Sequence, residues 1–224
     1  FLMGEDIGVS GGAFGVTRGL IDEFGPQRVR DTPISEQAIA GIAIGAAVAG
    51  QRPVIEIMFM DFITLAVDQL VNMAAKLHPI YGLQCPLVIR TPPGGGRGYG
   101  ATHSQSLERL FAGVPGIKIA APSNAIDASG LLQTAIRDNN PVLFLEHKLL
   151  YPHRFEVPDE LPSPIPFGHA KIVRQGEDLT IVAWSHMAFA ARQAAAKLAA
   201  EGIEAEIIDL LTLSPLDIGT IVES

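Results

Sequence analysis

The sequence contains little that would suit an oxidising compartment, a membrane or a nucleic acid. Its single cysteine, Cys85, cannot form a disulfide within the chain, as is typical of proteins from a reducing compartment. The longest apolar run, Ala38–Gly50, has 13 residues, fewer than the roughly 18 that suggest a membrane span. Lys and Arg total 16 against 24 Asp and Glu, a net charge of -8 with no basic cluster. We therefore expect neither a membrane nor a nucleic-acid partner.

The first part of the sequence alternates short apolar runs with helical patterns, which is typical of a parallel sheet flanked by helices. With 224 residues, 48% of them hydrophobic, the chain can form one large or two modest domains. Strands are predicted near Phe1–Met3, Pro53–Ile57, Pro86–Thr91, Lys118–Ala120 and Val142–Glu146. Helices are predicted over Glu36–Ala49, Phe62–Lys76, Ala125–Asp138 and part of Ser106–Phe111.

Five prolines between Tyr151 and Phe167 predict a linker without regular structure. Beyond it the sequence predicts a βαβ unit. Its strands are expected at Lys171–Val173, Leu179–Trp184 and Glu204–Asp209, its helix at Ala188–Glu201, and a last helix after Ser214–Asp217. We expect an α/β fold with a first domain over 1–153, a proline-rich linker over 154–170 and an incomplete second α/β domain over 171–224. Residues are expected to be missing at both ends.

Four segments carry a family resemblance: GEDIG at 4–8, DTPISE at 31–36, GATHSQS at 100–106 and RDNNP at 137–141. In this order they resemble the β subunit of thiamine-diphosphate-dependent 2-oxoacid dehydrogenases, the E1 component of pyruvate, branched-chain and acetoin dehydrogenase complexes. The match is continuous from Phe1 to about Tyr151 and weaker to the end. The resemblance implies a transketolase-like pyrimidine-binding domain followed by a truncated transketolase C-terminal domain.

Glu36 opens a helix that is otherwise uncharged and rich in small residues. From the residues alone this is good helix-start chemistry, with the carboxylate at the positive end of the dipole and Ser35 able to cap the free amides. The resemblance implies a catalytic role instead. Glu36 would hydrogen-bond the aminopyrimidine of thiamine diphosphate and favour its imino form, and an apolar pocket that favours the neutral acid would suit this proton sharing.

Further cofactor-binding residues follow from the same resemblance. Glu5 lies after the first predicted strand, where ligands of parallel sheets gather, although a solvated loop acid is the ordinary alternative. Met58 and Phe62 follow the second predicted strand and line the aminopyrimidine in relatives, although such residues are more often core. Ile34 and Ser35 are included as backbone neighbours of Glu36.

His103 follows a glycine-rich stretch, Gly94–Gly100, that can bend closely around a ligand but does not fit the dinucleotide motif. A lone histidine is usually structural or solvated. The resemblance implies that His103 is the family's active-site histidine, which steers proton transfer and acylation of a lipoyl group. Imidazole suits both tasks because it titrates near neutrality.

The turn after the predicted helix Ala125–Asp138 contains Asp138 and Asn140, which are ordinary turn formers. The resemblance implies that Ala135, Asp138 and Asn140 supply oxygens to a structural potassium ion, for which hard oxygen ligands are suitable. Leu87 matches another position of that site loosely.

The sequence has no Gly-Asp-Gly or Gly-Asp-Ala motif of the kind that binds diphosphate through Mg²⁺. We therefore expect Mg²⁺ and the diphosphate to be held by an E1 α subunit in an α2β2 assembly that feeds a lipoyl-bearing E2 acyltransferase. The expected location is the cytoplasm, or the mitochondrial matrix in a eukaryote. The alternatives are part of a single-chain transketolase or deoxyxylulose phosphate synthase, and a non-catalytic α/β interaction module. The sequence does not distinguish a 2-oxoacid from acetoin as substrate.

Overall fold

The computed structural model describes all residues from Phe1 to Ser224. The chain divides into two compact units, of which the first comprises Phe1–Lys118 and Ala135–Phe144, and the second Ile119–Thr134 and Leu145–Ser224. The strands are β1 (Leu2–Gly4), β2 (Val29–Asp31), β3 (Val54–Glu56), β4 (Val88–Thr91), β5 (Lys118–Ala120), β6 (Val142–Leu145), β7 (Lys171–Arg174), β8 (Leu179–Ala183), β9 (Ala205–Asp209) and β10 (Thr212–Ser214). The α-helices are α1 (Leu20–Phe24), α2 (Glu36–Val48), α3 (Leu77–Tyr81), α4 (Arg109–Ala112), α5 (Ala125–Arg137), α6 (Ser185–Ala200) and α7 (Ile218–Glu223).

A sheet with strand order β6-β4-β3-β1-β2 forms the centre of the first unit. β1 is parallel to both β2 and β3, and β3 is parallel to β4. All residues of β4 are buried, as expected for a strand covered on both faces. The carboxyl ends of these parallel strands meet at one edge, so Glu5 after β1 and Met58 after β3 lie at that edge.

Helix α2 begins at Glu36, as the sequence predicts, and has apolar or small residues on nearly every side. Ile39, Ala43 and Ala47 are buried, whereas Ile42 on the other side is 58% exposed. The predicted cap at its start is wrong: the Ser35 hydroxyl donates to the Pro33 carbonyl at 3.0 Å and makes no hydrogen bond to the helix amides.

The predicted helix over Phe62–Lys76 is the main correction to the secondary structure. The chain forms a 3₁₀-helix at Met60–Ala66, a π-helical turn at Gln69–Met73 and a second 3₁₀-helix at Ala74–Lys76. This segment packs against α2. The apolar spacing correctly indicated a helical segment, but periodicity does not resolve where the hydrogen bonds change from i+3 to i+5.

The second unit contains the predicted βαβ arrangement. β8 and β9 are parallel and are connected by α6, while β7 is antiparallel to β9 in a three-stranded sheet of order β7-β9-β8. A small core forms between α6 and β9 from Ala191, Ala195, Ala205 and Ile207. Trp184 precedes α6 and is 38% exposed. No helix or strand interrupts the stretch between β6 and β7.

The alternating pattern of strands and helices confirms the α/β fold with a mostly parallel sheet. Four short elements were not predicted: α1, β2, α3 and β10. Each has only three to five residues, too few to display a period.

Candidate functional site

Two buried carboxylates lie at the edge where β1 ends and α2 begins. Glu5 is 7% exposed and Glu36 is 5% exposed. Oε1 of Glu5 accepts a hydrogen bond from the backbone N–H of Ser35 at 3.1 Å, whereas the Glu36 carboxylate accepts no hydrogen bond from any residue of the chain. The Glu36 oxygens are not among the fully buried side-chain atoms that lack a partner, so solvent or a ligand can reach them and donate to them.

The electrostatic setting of Glu5 favours its protonated form. Burial raises the pKa of Glu5 above its ordinary value, and the nearby charges of Glu36 and Asp6 raise it further, while the Ser35 N–H lowers it. The alternative of a solvated loop acid does not fit the burial of Glu5.

An aromatic cluster follows β3 at the same sheet edge. The ring of Phe59 makes edge-to-face contacts with Phe14, Phe62, Tyr99 and His103 at centroid distances of 5.6, 6.0, 6.0 and 4.9 Å. His103 also contacts Phe62 directly, at 5.2 Å. The structure thus brings together two of the residues singled out in the sequence, Phe62 and His103, through Phe59, which the sequence reasoning missed.

The loop that carries His103 is shaped by glycine. Gly94, Gly96, Gly98 and Gly100 all have positive φ angles between 74° and 97°, a region that other residues rarely adopt. The Nδ1 atom of His103 lies 3.1 Å from the Thr102 hydroxyl. The imidazole is half-buried, so it combines a fixed aromatic environment with access to solvent.

Asp61 holds this loop through hydrogen bonds, and the sequence did not point to it. It is 5% exposed, and its Oδ1 accepts hydrogen bonds from the backbone N–H groups of Ser104 and Gln105, both at 3.2 Å, and from the Gln105 side chain at 2.9 Å. Next to it, the sulfur of Met60 accepts the Leu107 N–H at 3.3 Å. A single aspartate between two predicted core residues carries no sequence signal for such an anchor.

A buried ion pair supports the edge behind the cluster. Arg90 at the end of β4 donates to Glu56 at the end of β3 at 2.8 Å, with side-chain exposures of 7% and 9%. The sequence reasoning did not single out this pair. Met58, two residues beyond Glu56, is half-buried, and Ile34, before Ser35, is 84% exposed. The side chain of Ile34 is therefore not buried at this edge.

The predicted potassium site is a turn in which most oxygens already have donors. Asp138 accepts hydrogen bonds from Lys118 at 2.5 Å and from the backbone and side-chain N–H groups of Asn140, both at 2.9 Å. These donors lower the pKa of Asp138 in spite of burial. The Ala135 carbonyl accepts the Asp138 N–H at 3.3 Å.

A guanidinium group also reaches the carbonyls of this turn. Arg52 donates to the carbonyls of Ile136 at 3.0 Å and Asp138 at 2.8 Å. Each carbonyl oxygen has two lone pairs, so these contacts leave a second acceptor position for a cation. No group of three or more His, Cys, Asp and Glu side chains is arranged to hold a metal ion, and no helix is both long and apolar enough to span a membrane.

Comparison with known proteins identifies the architecture. The chain matches the family model for the transketolase pyrimidine-binding domain over residues 1–154 and that for the transketolase C-terminal domain over residues 168–224. It is 49% identical to the pyruvate dehydrogenase E1 component subunit beta of Rickettsia felis, covering 100% of this chain and 69% of that protein. The chain belongs to this family of transketolase-like E1 β subunits.

Other members of the family differ in their named substrates. The acetoin:2,6-dichlorophenolindophenol oxidoreductase subunit beta of Cupriavidus necator is 51% identical over 96% of this chain and 63% of its own length. The 2-oxoisovalerate dehydrogenase subunit beta of Bacillus subtilis is 45% identical over 100% of this chain and 69% of its own length. Similar identities to pyruvate, acetoin and branched-chain members leave the substrate open.

A solved structure has the same fold. It is described as a split-gene transketolase, inactive beta4 tetramer, and it superposes with a TM-score of 0.79 at 26% identity, covering 100% of this chain and 69% of that one. The higher identities to E1 β subunits favour that branch over a transketolase. The membership predicted from the four sequence segments is thereby confirmed.

Proposed function

We propose that this chain is the pyrimidine-binding half of a thiamine diphosphate site, in an E1 component that oxidatively decarboxylates a 2-oxoacid or cleaves acetoin. The observation that carries this proposal is the buried Glu36 carboxylate, which accepts no hydrogen bond from its own chain. A ring nitrogen of the aminopyrimidine is a donor of the right chemistry. Family membership supports the same cofactor, because E1 components of this family depend on it.

Glu36 would hold a proton on the far ring nitrogen of the aminopyrimidine. It begins α2, whose other residues, apart from Gln37, are apolar or small and uncharged. Burial raises the pKa of the neighbouring Glu5. When bound, thiamine diphosphate supplies the nucleophilic carbon and the electron sink for decarboxylation.

Phe62, Met58 and the backbone of Ile34 and Ser35 would complete the wall around the pyrimidine. Phe62 is held edge-to-face by Phe59 and His103, so its ring orientation is fixed before the cofactor arrives. His103 would move protons during acyl transfer to the lipoyl group. A half-buried imidazole in an aromatic cage suits this task because it stays oriented while remaining reachable.

The remaining half of the site would come from an E1 α subunit in an α2β2 assembly, and that subunit would bind Mg²⁺ and the diphosphate. The naming of the chain's relatives as beta subunits of E1 components supports this proposal. The acyl acceptor would be a lipoyl-bearing E2 acyltransferase. The proposed location is the cytoplasm, or the mitochondrial matrix in a eukaryote.

A potassium ion is proposed at the turn after α5, with oxygens from Ala135, Asp138 and Asn140. Arg52 and Lys118 already neutralise part of this turn, so the ion would share the carbonyl oxygens with a guanidinium. The contribution of the ion to stability is therefore expected to be small.

The test is a comparison of the chain alone with the chain assembled with an E1 α subunit. Alone, it should bind thiamine diphosphate and Mg²⁺ weakly in calorimetric titrations and should turn over no 2-oxoacid. The assembled pair should decarboxylate pyruvate, a branched-chain 2-oxoacid or acetoin, and a screen of the three identifies the substrate. Tight stoichiometric binding by the chain alone would refute the split site.

A further inference from the structure

Asp61 connects two parts of the candidate site that are far apart in the sequence, the segment that carries Phe62 and the loop that carries His103. It immediately precedes Phe62, a predicted wall of the pyrimidine site, and its carboxylate reaches the two residues that follow His103. The residue before it is tied to the segment that leads into the loop, because the N–H of Met60 donates to the carbonyl of Pro92 at 3.2 Å.

One carboxylate oxygen of Asp61 carries all of these contacts. Oδ1 accepts from two backbone N–H groups and from the Gln105 amide, while Oδ2 is buried without a hydrogen-bond partner. Hydrogen bonds to an ionised carboxylate are stronger than neutral ones. Three of them converging on one atom fix the distance between the Met60–Ala66 segment and the loop.

Two sets of contacts hold the imidazole of His103 in place. Its ring packs on Phe59 and Phe62, which flank Asp61 closely in the chain, and its backbone leads directly into Ser104 and Gln105. The far side of the loop is tied as well, because Gly94 donates its N–H to the Gln105 carbonyl at 3.0 Å.

We propose that Asp61 is a positioning residue that holds the His103 loop against the aromatic wall and thereby sets the geometry of acyl transfer. This inference rests on the proposed function for its catalytic part. The positioning part concerns only the loop and can be tested without any activity.

The loop test uses limited trypsin digestion of the full chain. Arg97 is exposed and lies within the loop, so cleavage after it reports loop opening. Asp61→Ala should accelerate this cleavage strongly, because it leaves the N–H groups of Ser104 and Gln105 without their acceptor. Asp61→Asn should accelerate it less than Asp61→Ala does, because the amide keeps an oxygen for the three donors although these hydrogen bonds become weaker.

The control is Asp217→Ala in the second unit. Asp217 also accepts three hydrogen bonds, from the Ala170 N–H and from the Thr220 N–H and hydroxyl. Its loss should not accelerate cleavage at Arg97. Equal cleavage of wild type and Asp61→Ala would overturn the proposal, and so would equal acceleration by Asp217→Ala, since that would indicate general destabilisation.

The activity test uses the protein assembled with its partner subunit. Asp61→Ala should lower acyl transfer to a lipoyl domain by about 100-fold, as expected for a misplaced catalytic group, while reaction with an artificial electron acceptor suffers less. The double variant Asp61→Ala, His103→Ala should be scarcely worse than His103→Ala, since coupled residues are non-additive. Additive losses would overturn the positioning role. If the assembled wild type turned over none of the substrates, the proposed function would fail, and the cleavage contrast would still decide whether Asp61 holds the loop.

Discussion

The carboxylate of Glu5 accepts the backbone N–H of Ser35, the residue that precedes α2, at 3.1 Å. This single contact ties the end of β1 to the start of the helix that carries Glu36. The Ser35 hydroxyl does not cap this helix, because it donates to the Pro33 carbonyl at 3.0 Å instead. The Ser35 N–H thus holds Glu5 next to the residue that precedes Glu36.

Glu36→Gln should abolish activity of the assembled enzyme while leaving the fold intact. Glutamine cannot exchange a proton with the pyrimidine, and removal of a general acid or base typically costs about 100-fold or more in rate. Stability should be unchanged, because the Glu36 carboxylate makes no hydrogen bond within the chain. Circular dichroism of the imino form of the cofactor in the assembled pair measures the first effect, and thermal unfolding measures the second. An undiminished imino signal in the variant would eliminate the proposed role.

The turn after α5 should lose stability when potassium is replaced by a larger organic cation such as tetramethylammonium. A bound ion stabilises the folded state by mass action, so the melting temperature should fall modestly and recover when potassium is restored. Arg52→Gln should enlarge the effect, because it removes the guanidinium that shares the carbonyls of Ile136 and Asp138. If the melting temperatures of the wild type and of Arg52→Gln did not change when potassium was exchanged, the turn would be held by side chains alone.

Asp209→Asn should make the stability of the protein less dependent on pH. Asp209 is fully buried, and burial raises its pKa from 3.8 to about 6 in the folded state, although the Ser123 hydroxyl and the Leu211 N–H donate to it. The folded state thus holds this proton to a higher pH than the unfolded chain. Its stabilising contribution is complete below about pH 3.8 and is lost as the pH rises through about 6.

At pH 8 the asparagine variant should therefore be more stable than the wild type, by up to about 3 kcal/mol, and the difference should shrink at pH 4. Urea unfolding at the two pH values measures it. Asp217→Asn is the control, because hydrogen bonds lower the pKa of Asp217, so its replacement should bring no gain at pH 8. A wild type that is as stable as Asp209→Asn at pH 8 would contradict the prediction.

Cys85 should resist alkylation in the folded protein. It is 2% exposed, and burial raises the pKa of its thiol to about 11, so little reactive thiolate exists at pH 8. Iodoacetamide labelling followed by mass spectrometry should be slow in buffer and fast in urea. Since the chain has one cysteine, the labelled fraction reports a single site. Labelling in buffer at the rate of an unfolded control would show that the prediction is wrong.

Sequence reasoning located the elements more reliably than the contacts between them. α2 begins at Glu36 as predicted, because a helix start has a local signature, and the strands Val88–Thr91 and Val142–Leu145 follow from apolar runs between turn residues. The segment Phe62–Lys76 was predicted as regular helix and is not, because the choice between 3₁₀, π and α hydrogen bonding depends on packing against α2 and not on spacing.

The candidate site was predicted in part. Glu5, Glu36, Phe62 and His103 lie at one sheet edge or on elements that meet there, and their roles remain predictions. Asp61 and Phe59 could not be found, because a side chain that holds a loop more than 40 residues further along the chain leaves no local pattern. The Ser35 cap was wrong because its hydroxyl donates to the Pro33 carbonyl, a rotamer choice that the residue type does not specify.

Trp184 is an intrinsic fluorescent probe at a known position in the second unit. It is the only tryptophan in the chain, it precedes α6, and it lines an apolar cleft with Val182 and Met187 in the second unit. Its fluorescence therefore reports its surroundings in the second unit, whereas the candidate site lies in the first unit. Emission and far-ultraviolet dichroism need not change together during unfolding, and a gap between the two curves would give the relative stability of the two units without any added label.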